Sequence, residues 1–178
     1  MIPLRPLSAG VCALVLAACS STPVTRFHTL RADATPGTAG AVTKSSQPPW
    51  EVSVAVPPQV DTTQWVVQRV DGTLAVLEHD RWISPLADEI RTALEDGLRA
   101  APAAPARVAV DVRRLDAKLG RESRLDAAWT LAHPDGRKVR CEVMLAEPAP
   151  GGLVEMAAAH RAVVAALARR IGASAGGC

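Results

Sequence analysis

The chain has 178 residues, 48% of them hydrophobic and 21% charged, with a formal net charge of +2. That length suits one domain with a substantial core. So even a charge balance leaves no basic footprint for nucleic acid and no polybasic patch for anionic lipid heads.

The first twenty residues carry the strongest signal. Arg5 puts a positive charge near the amino terminus, Val11 to Ala18 is an unbroken apolar run, and small residues precede a cysteine. That order reads as a secretory signal, and the run is far short of the roughly 20 residues a membrane-spanning helix needs. Leu16-Ala17-Ala18-Cys19 resembles the lipobox of bacterial lipoproteins. The resemblance implies cleavage before Cys19 and lipid on its thiol, so residues 1–18 are the signal peptide and 19–25 a lipidated tether. Ser20 follows the lipidated cysteine, where an aspartate usually retains enteric-type lipoproteins in the inner membrane. Serine there implies export to the periplasmic face of the outer membrane. Ser20 to Thr25, fully extended, reaches only about 20 Å, which would keep the domain beside the bilayer.

Residues 26–172 are expected to form one domain, with 31–49 a flexible loop rich in Ala, Thr, Gly, Ser and Pro. Arg26 to Leu30 alternates like a strand, placing Phe27 and Thr29 on one face. Val52, Val54 and Val56 form a half-buried strand stopped by Pro57-Pro58. Trp65 to Val70 and Thr73 to Glu78 make a hairpin about Asp71-Gly72. Ser84 is the expected N-cap of a helix with Pro85 at its first position. Leu86, Ile90, Leu94 and Leu98 make its apolar stripe, with Asp88, Glu89, Arg91 and Glu95 on the wetter side, and Ala101 to Pro105 ends it. Arg107 to Asp116, Ser123 to Leu131 and Lys138 to Ala146 follow as strands, the last two joined by a turn at Pro134-Asp135-Gly136. Leu153 to Ile171 closes the domain as a helix, leaving residues 173–178 as a frayed tail. Strands, helix, strands, helix is an α+β order: an antiparallel sheet with two helices packed on one face.

Cys12 leaves with the signal and Cys19 carries lipid, so Cys141 and Cys178 remain in an oxidising compartment. Two readings stay open. A disulfide would close a loop of roughly 38 residues and contribute about 4 kcal/mol; otherwise Cys141 is a buried strand residue and Cys178 a free end.

His28, His79, His133 and His160 lie far apart, with no second ligand at helical spacing, so no metal or cofactor is expected. Each histidine reads as a surface or partly buried side chain. The chain lacks a Gly-x-Ser-x-Gly elbow and a phosphate loop, and an enzyme is not expected. The aromatic complement is four Trp, one Phe and no Tyr. Trp129 belongs to the core by parity with Leu125 and Leu131, and Trp82 is placed to lock the hairpin onto the helix. Trp65, with Arg69 nearby, is the candidate partner or lipid surface, and Arg69 or Arg81 could stack on an indole.

Six segments stand in order: Phe27-His28-Thr29-Leu30, Val54-Ala55-Val56-Pro57-Pro58-Gln59-Val60-Asp61, Val66-Val67-Gln68-Arg69, Arg81-Trp82-Ile83-Ser84-Pro85-Leu86, Val110 to Asp116, and Leu125-Asp126-Ala127-Ala128-Trp129. Together they resemble the PqiC-like ABC-type transport auxiliary lipoproteins. His28 stands where that family has Tyr, and Val60-Asp61-Thr62 lacks its Arg. The resemblance implies a non-catalytic outer-membrane lipoprotein that docks the periplasmic MCE-domain assembly of a lipid-transporting ABC permease and ATPase. It also implies homo-oligomers, with no sequence signal to set their number. The alternative is a structural or assembly lipoprotein of another envelope complex.

Overall fold

The computed structural model describes residues 23–31, 50–99, 101 and 107–178. The expected signal, lipobox and sorting residues Leu16, Ala17, Ala18, Cys19 and Ser20 lie outside the described residues, as does most of the 31–49 loop and of the Ala101 to Pro105 stop. Seven strands and two helices follow in order. They are β1 (Arg26–His28), β2 (Glu51–Ala55), β3 (Gln64–Gln68), β4 (Leu74–Trp82), α1 (Leu86–Leu98), β5 (Arg107–Lys118), β6 (Glu122–Ala132), β7 (Lys138–Pro148) and α2 (Leu153–Ala173).

All seven strands share one sheet, ordered β1-β4-β3-β5-β6-β7, with β2 also paired to β5. The fold is α+β, as expected, but the sheet is mixed rather than purely antiparallel. β1 runs parallel to β4, and both β2 and β3 run parallel to β5. Alternation along a strand reports which side chains face the core and is blind to the direction of the neighbouring strand. The hairpins are where local chemistry did decide: Gly72 and Gly136 take φ of 86° in their turns, a region costly for other residues.

The core face follows from register. Val52 pairs with Val108 and Val54 with Val110; Val108, Val110 and Val112 lie opposite Leu131, Trp129 and Ala127; Trp129 in turn lies opposite Cys141. Beyond Val112 the parity breaks, because a bulge at Arg113 moves the pairing on to Arg114 and Asp126. That extra residue returns Leu115 to the inner face, opposite Leu125.

Both helices cover this face. The stripe Leu86, Ile90, Leu94 and Leu98 is buried, as are Met156, Val163, Leu167 and Ile171 of α2. The helix start departs from expectation by one residue: Pro85 is the N-cap, and Ser84 makes no capping bond. Instead Asp61 Oδ1, from the loop after β2, accepts the amide of Ala87 at 3.1 Å, a carboxylate at the positive end of the helix. Nor is the tail frayed. A 3-10 turn spans Ser174–Gly176, the buried Ser174 hydroxyl accepts Trp129 Nε1–H at 2.9 Å, and Cys178 is disulfide-bonded to Cys141 with Cα atoms 5.7 Å apart.

The helices cross at Gly97, where an added Cβ would stand 2.7 Å from the Ala168 Cβ. Gly97→Ala should therefore destabilise by about 1–3 kcal/mol through overpacking, although alanine is the better helix former by about 1 kcal/mol. Combining it with Ala168→Gly should recover part of the loss in thermal denaturation. A Gly97→Ala protein at least as stable as the parent would show that the helices can move apart freely.

Candidate functional site

The segment that emerges from the expected tether is held to the body residue by residue. Arg26 Nε and Nη2 donate to Asp80 Oδ1 and Oδ2, each at 2.8 Å, and His28 Nε2 donates to Asp80 Oδ1 at 2.9 Å. Thr29 Oγ1 and the amide of Leu30 donate to Glu89 Oε2 at 2.9 and 3.0 Å. Ser84 Oγ occupies the other oxygen, Oε1, at 2.8 Å. Arg31 Nε reaches Asp96 at 2.8 Å, and Leu30 is buried. We call residues 26–31 the strap.

Two carboxylates make the clamp, and neither is exposed: Asp80 is 4% and Glu89 5% accessible. A buried carboxylate is tolerated when donors satisfy its lone pairs, and here the strap supplies most of them. Glu89 was expected on the wet side of α1, beside Asp88. It lies inside because the strap crosses the first turn of the helix and covers it. The strap's own pattern differs too: Thr29 reaches Glu89, while Phe27 is 65% exposed.

Behind the clamp the rings form a continuous stack. His28 lies on Trp65 at 4.6 Å with planes 5° apart. Trp65 meets Trp82 edge to face at 4.6 Å, and Trp82 lies against His160 of α2 at 5.9 Å. Trp65 is thus corrected from a candidate partner surface to core, at 2% exposure. The cause is strand alternation: Trp65 shares its face with buried Val67, and His28 of the strap covers the indole. What stacks on it is His28 rather than an arginine. Arg69 is exposed at the other end of β3, where its amide bonds Thr73, so the two residues do not form one surface. Arg81 Nε turns instead to the Glu78 carbonyl.

His160 is the residue that reading the sequence missed. It is 3% exposed and hydrogen-bonded through Nδ1 to Ser123 Oγ at 2.6 Å. Its position on the inner face of α2, four residues after Met156 and three before Val163, is the signal that could have found it. Serine beside histidine is also the pairing of a nucleophile and its base. Ser123 is 0% exposed, however, and no substrate could reach it. The contact satisfies two buried polar groups.

Replacing Glu89 by Ala should cost about 1–3 kcal/mol, because the buried Leu30 amide loses its acceptor. Protease cleavage near Leu30 should rise in step, and an unchanged melting temperature with unchanged cleavage would remove Glu89 from the clamp.

Acid should weaken the fold in two stages. Burial pushes the His160 imidazole from 6.5 to about 4, so the unfolded chain takes up a proton that the folded one refuses. Its stability is whole above the unfolded value and declines as pH falls toward the folded one, by on the order of 3 kcal/mol. Asp80 acts lower: the hydrogen bond from Arg26 holds its carboxyl below the ordinary value. Its contribution is present above the unfolded carboxylate value and is lost as pH falls through the depressed one. The melting temperature should drop between about pH 6.5 and 4 and the drop should shrink in His160→Gln; a parent curve flat over that window would contradict a neutral buried imidazole.

Comparison with known proteins agrees with this architecture. One solved structure, titled only as an uncharacterized protein, superimposes with a TM-score of 0.65 at 18% identity, covering 84% of this chain and 97% of that one. A second, from Xanthomonas campestris, gives 0.55 at 20% identity over 84% of this chain and 90% of that one. At such identities the likeness is one of fold. No curated protein matches. Residues 28–172 match the family described as the ABC-type transport auxiliary lipoprotein component, from the strap through the last helix; the chain belongs to that family.

Proposed function

We propose that the chain is the lipid-anchored, non-catalytic component that holds a periplasmic MCE-domain assembly at the outer membrane, so that an ABC permease and ATPase can move lipid between the membranes. Family membership supplies the coarser statement, an auxiliary lipoprotein of an ABC-type transport system. The strap is the observation that carries the finer one. An acyl group at Cys19 would pull on Arg26 to Arg31, and those residues are tied to Asp80, Glu89 and Asp96 rather than left as a loose leader. Force and position at the membrane would pass directly into the domain.

The charge balance supports the same reading, since attachment would come from acyl chains and not from a basic face. Tethering would raise the local concentration of the docking surface without requiring a tight interface. The sealed Ser123–His160 contact supports a role without turnover.

Replacing Cys19 by Ala should give a folded protein, with the parent's melting temperature, that is free in the periplasm and no longer retains the MCE-domain protein in outer-membrane fractions. Loss of outer-membrane integrity should accompany it. A Cys19→Ala protein that stays membrane-bound, or sustains normal integrity at native expression, would defeat the anchoring claim.

A further inference from the structure

The sheet has a gap. On the edge of β5 away from β6, β2 pairs with Arg107 to Asp111 and β3 with Lys118 alone. Among the described residues no strand pairs with Val112 to Ala117 on that edge. The sequence explains the gap: after Ala55 the chain runs into Pro57-Pro58, which cannot supply ladder N–H groups, so β2 leaves the sheet early. β3 reaches β5 only at its far end, where the Leu119 amide bonds the Gln68 carbonyl at 3.0 Å.

The opening is a groove of about 260 Å³. Its floor is the β5 edge from Arg113 to Ala117, and its walls include Val60, Val66 and Leu74. Leu74 is 72% exposed, although it is a large apolar side chain. The two arginines at the groove are already neutralised. Arg113 pairs with Asp111 and Glu142, and Arg114 with Asp116 and Asp126.

We propose that this groove receives a short, uncharged, extended segment of a partner protein, which adds as a strand along β5. The proposal deepens the docking role above and rests on it, since the partner would be a subunit of the same transport system. Strand addition draws its affinity from main-chain hydrogen bonds and its selectivity from side-chain pockets. Here the unpaired edge offers the first, and Val60, Val66 and Leu74 the second. Charge complementarity selects the occupant: with Arg113 and Arg114 compensated, an anionic lipid headgroup finds no unpaired cation among the described residues lining the groove, whereas an apolar neutral strand finds a matching wall. The slot is closed at one end by β2 and at the other by Lys118, which excludes a long edge strand from a second copy. It accepts about five or six residues, close to 20 Å of strand.

The test uses the full chain and overlapping synthetic peptides of about twelve residues, covering the periplasm-exposed sequences of the permease and MCE-domain subunits. Amide exchange is read by NMR with and without each peptide. At least one peptide should slow exchange within Arg114 to Ala117 by at least about tenfold, and Leu74→Lys, at an exposed position, should abolish the effect without changing the melting temperature. Three results would overturn the proposal: no peptide protects these amides; vesicles containing phosphatidylglycerol protect them and peptides do not; or they are already protected in the free chain and lose that protection when residues 32–49 are deleted. If an intact subunit binds but protects other residues, the groove is wrong and the docking role stands. If no subunit binds at all, the docking role fails as well.

Discussion

A carboxylate can be taken out of water only if donors meet it there, and this domain buries two of them around a single short segment. Asp80 and Glu89 would be costly where they lie without Arg26, His28, Thr29, Leu30 and Ser84. The dependence runs both ways. A strand of three residues has too few ladder bonds to hold by itself, yet β1 has a defined register on β4 from Arg26 to His28. The carboxylates fix the strap, and the strap satisfies the carboxylates.

The aromatic stack carries that constraint inward. His28 belongs to the strap, Trp65 and Trp82 to the β3–β4 hairpin, and His160 to the last helix, so four rings join the chain's first described strand to its last helix. Ser123 extends the line into β6. At the opposite end of the chain the Cys141–Cys178 bond and the Trp129–Ser174 hydrogen bond fasten the tail to the sheet. Both ends of the described domain are thereby tied to its core.

Much of this was readable in the residues, and the exceptions share a cause. The valines of β2 and β5 and the four-residue stripe of α1 report burial through period alone, and each lies where its period places it. Glu89 does not, and for Trp65 and His160 the period shows a buried face but not the groups that meet them there, because those come from distant segments. Nothing within a few residues of Glu89 announces that Leu30, 59 positions earlier, will cover it. Trp65 shares its inward face with Val67, but parity does not reveal the His28 ring that covers it. The parallel pairings of β1 and β2 are equally invisible locally, since they join segments on either side of a helix or a long loop. The gap along β5 is partly readable: Pro57-Pro58 tells where β2 stops, but not that β3 splays from the vacant edge.

The clamp can transmit position only if the strap is part of the folded body when the chain is lipid-anchored. Amide exchange at Leu30, measured on the lipidated protein in bilayers, addresses this directly, because that N–H donates to buried Glu89. It should exchange as slowly as the central amides of β6, opening only when the domain unfolds. Exchange at the rate of an unstructured leader, while β6 stays protected, would mean that the membrane holds a loose tail and that the clamp does not transmit position.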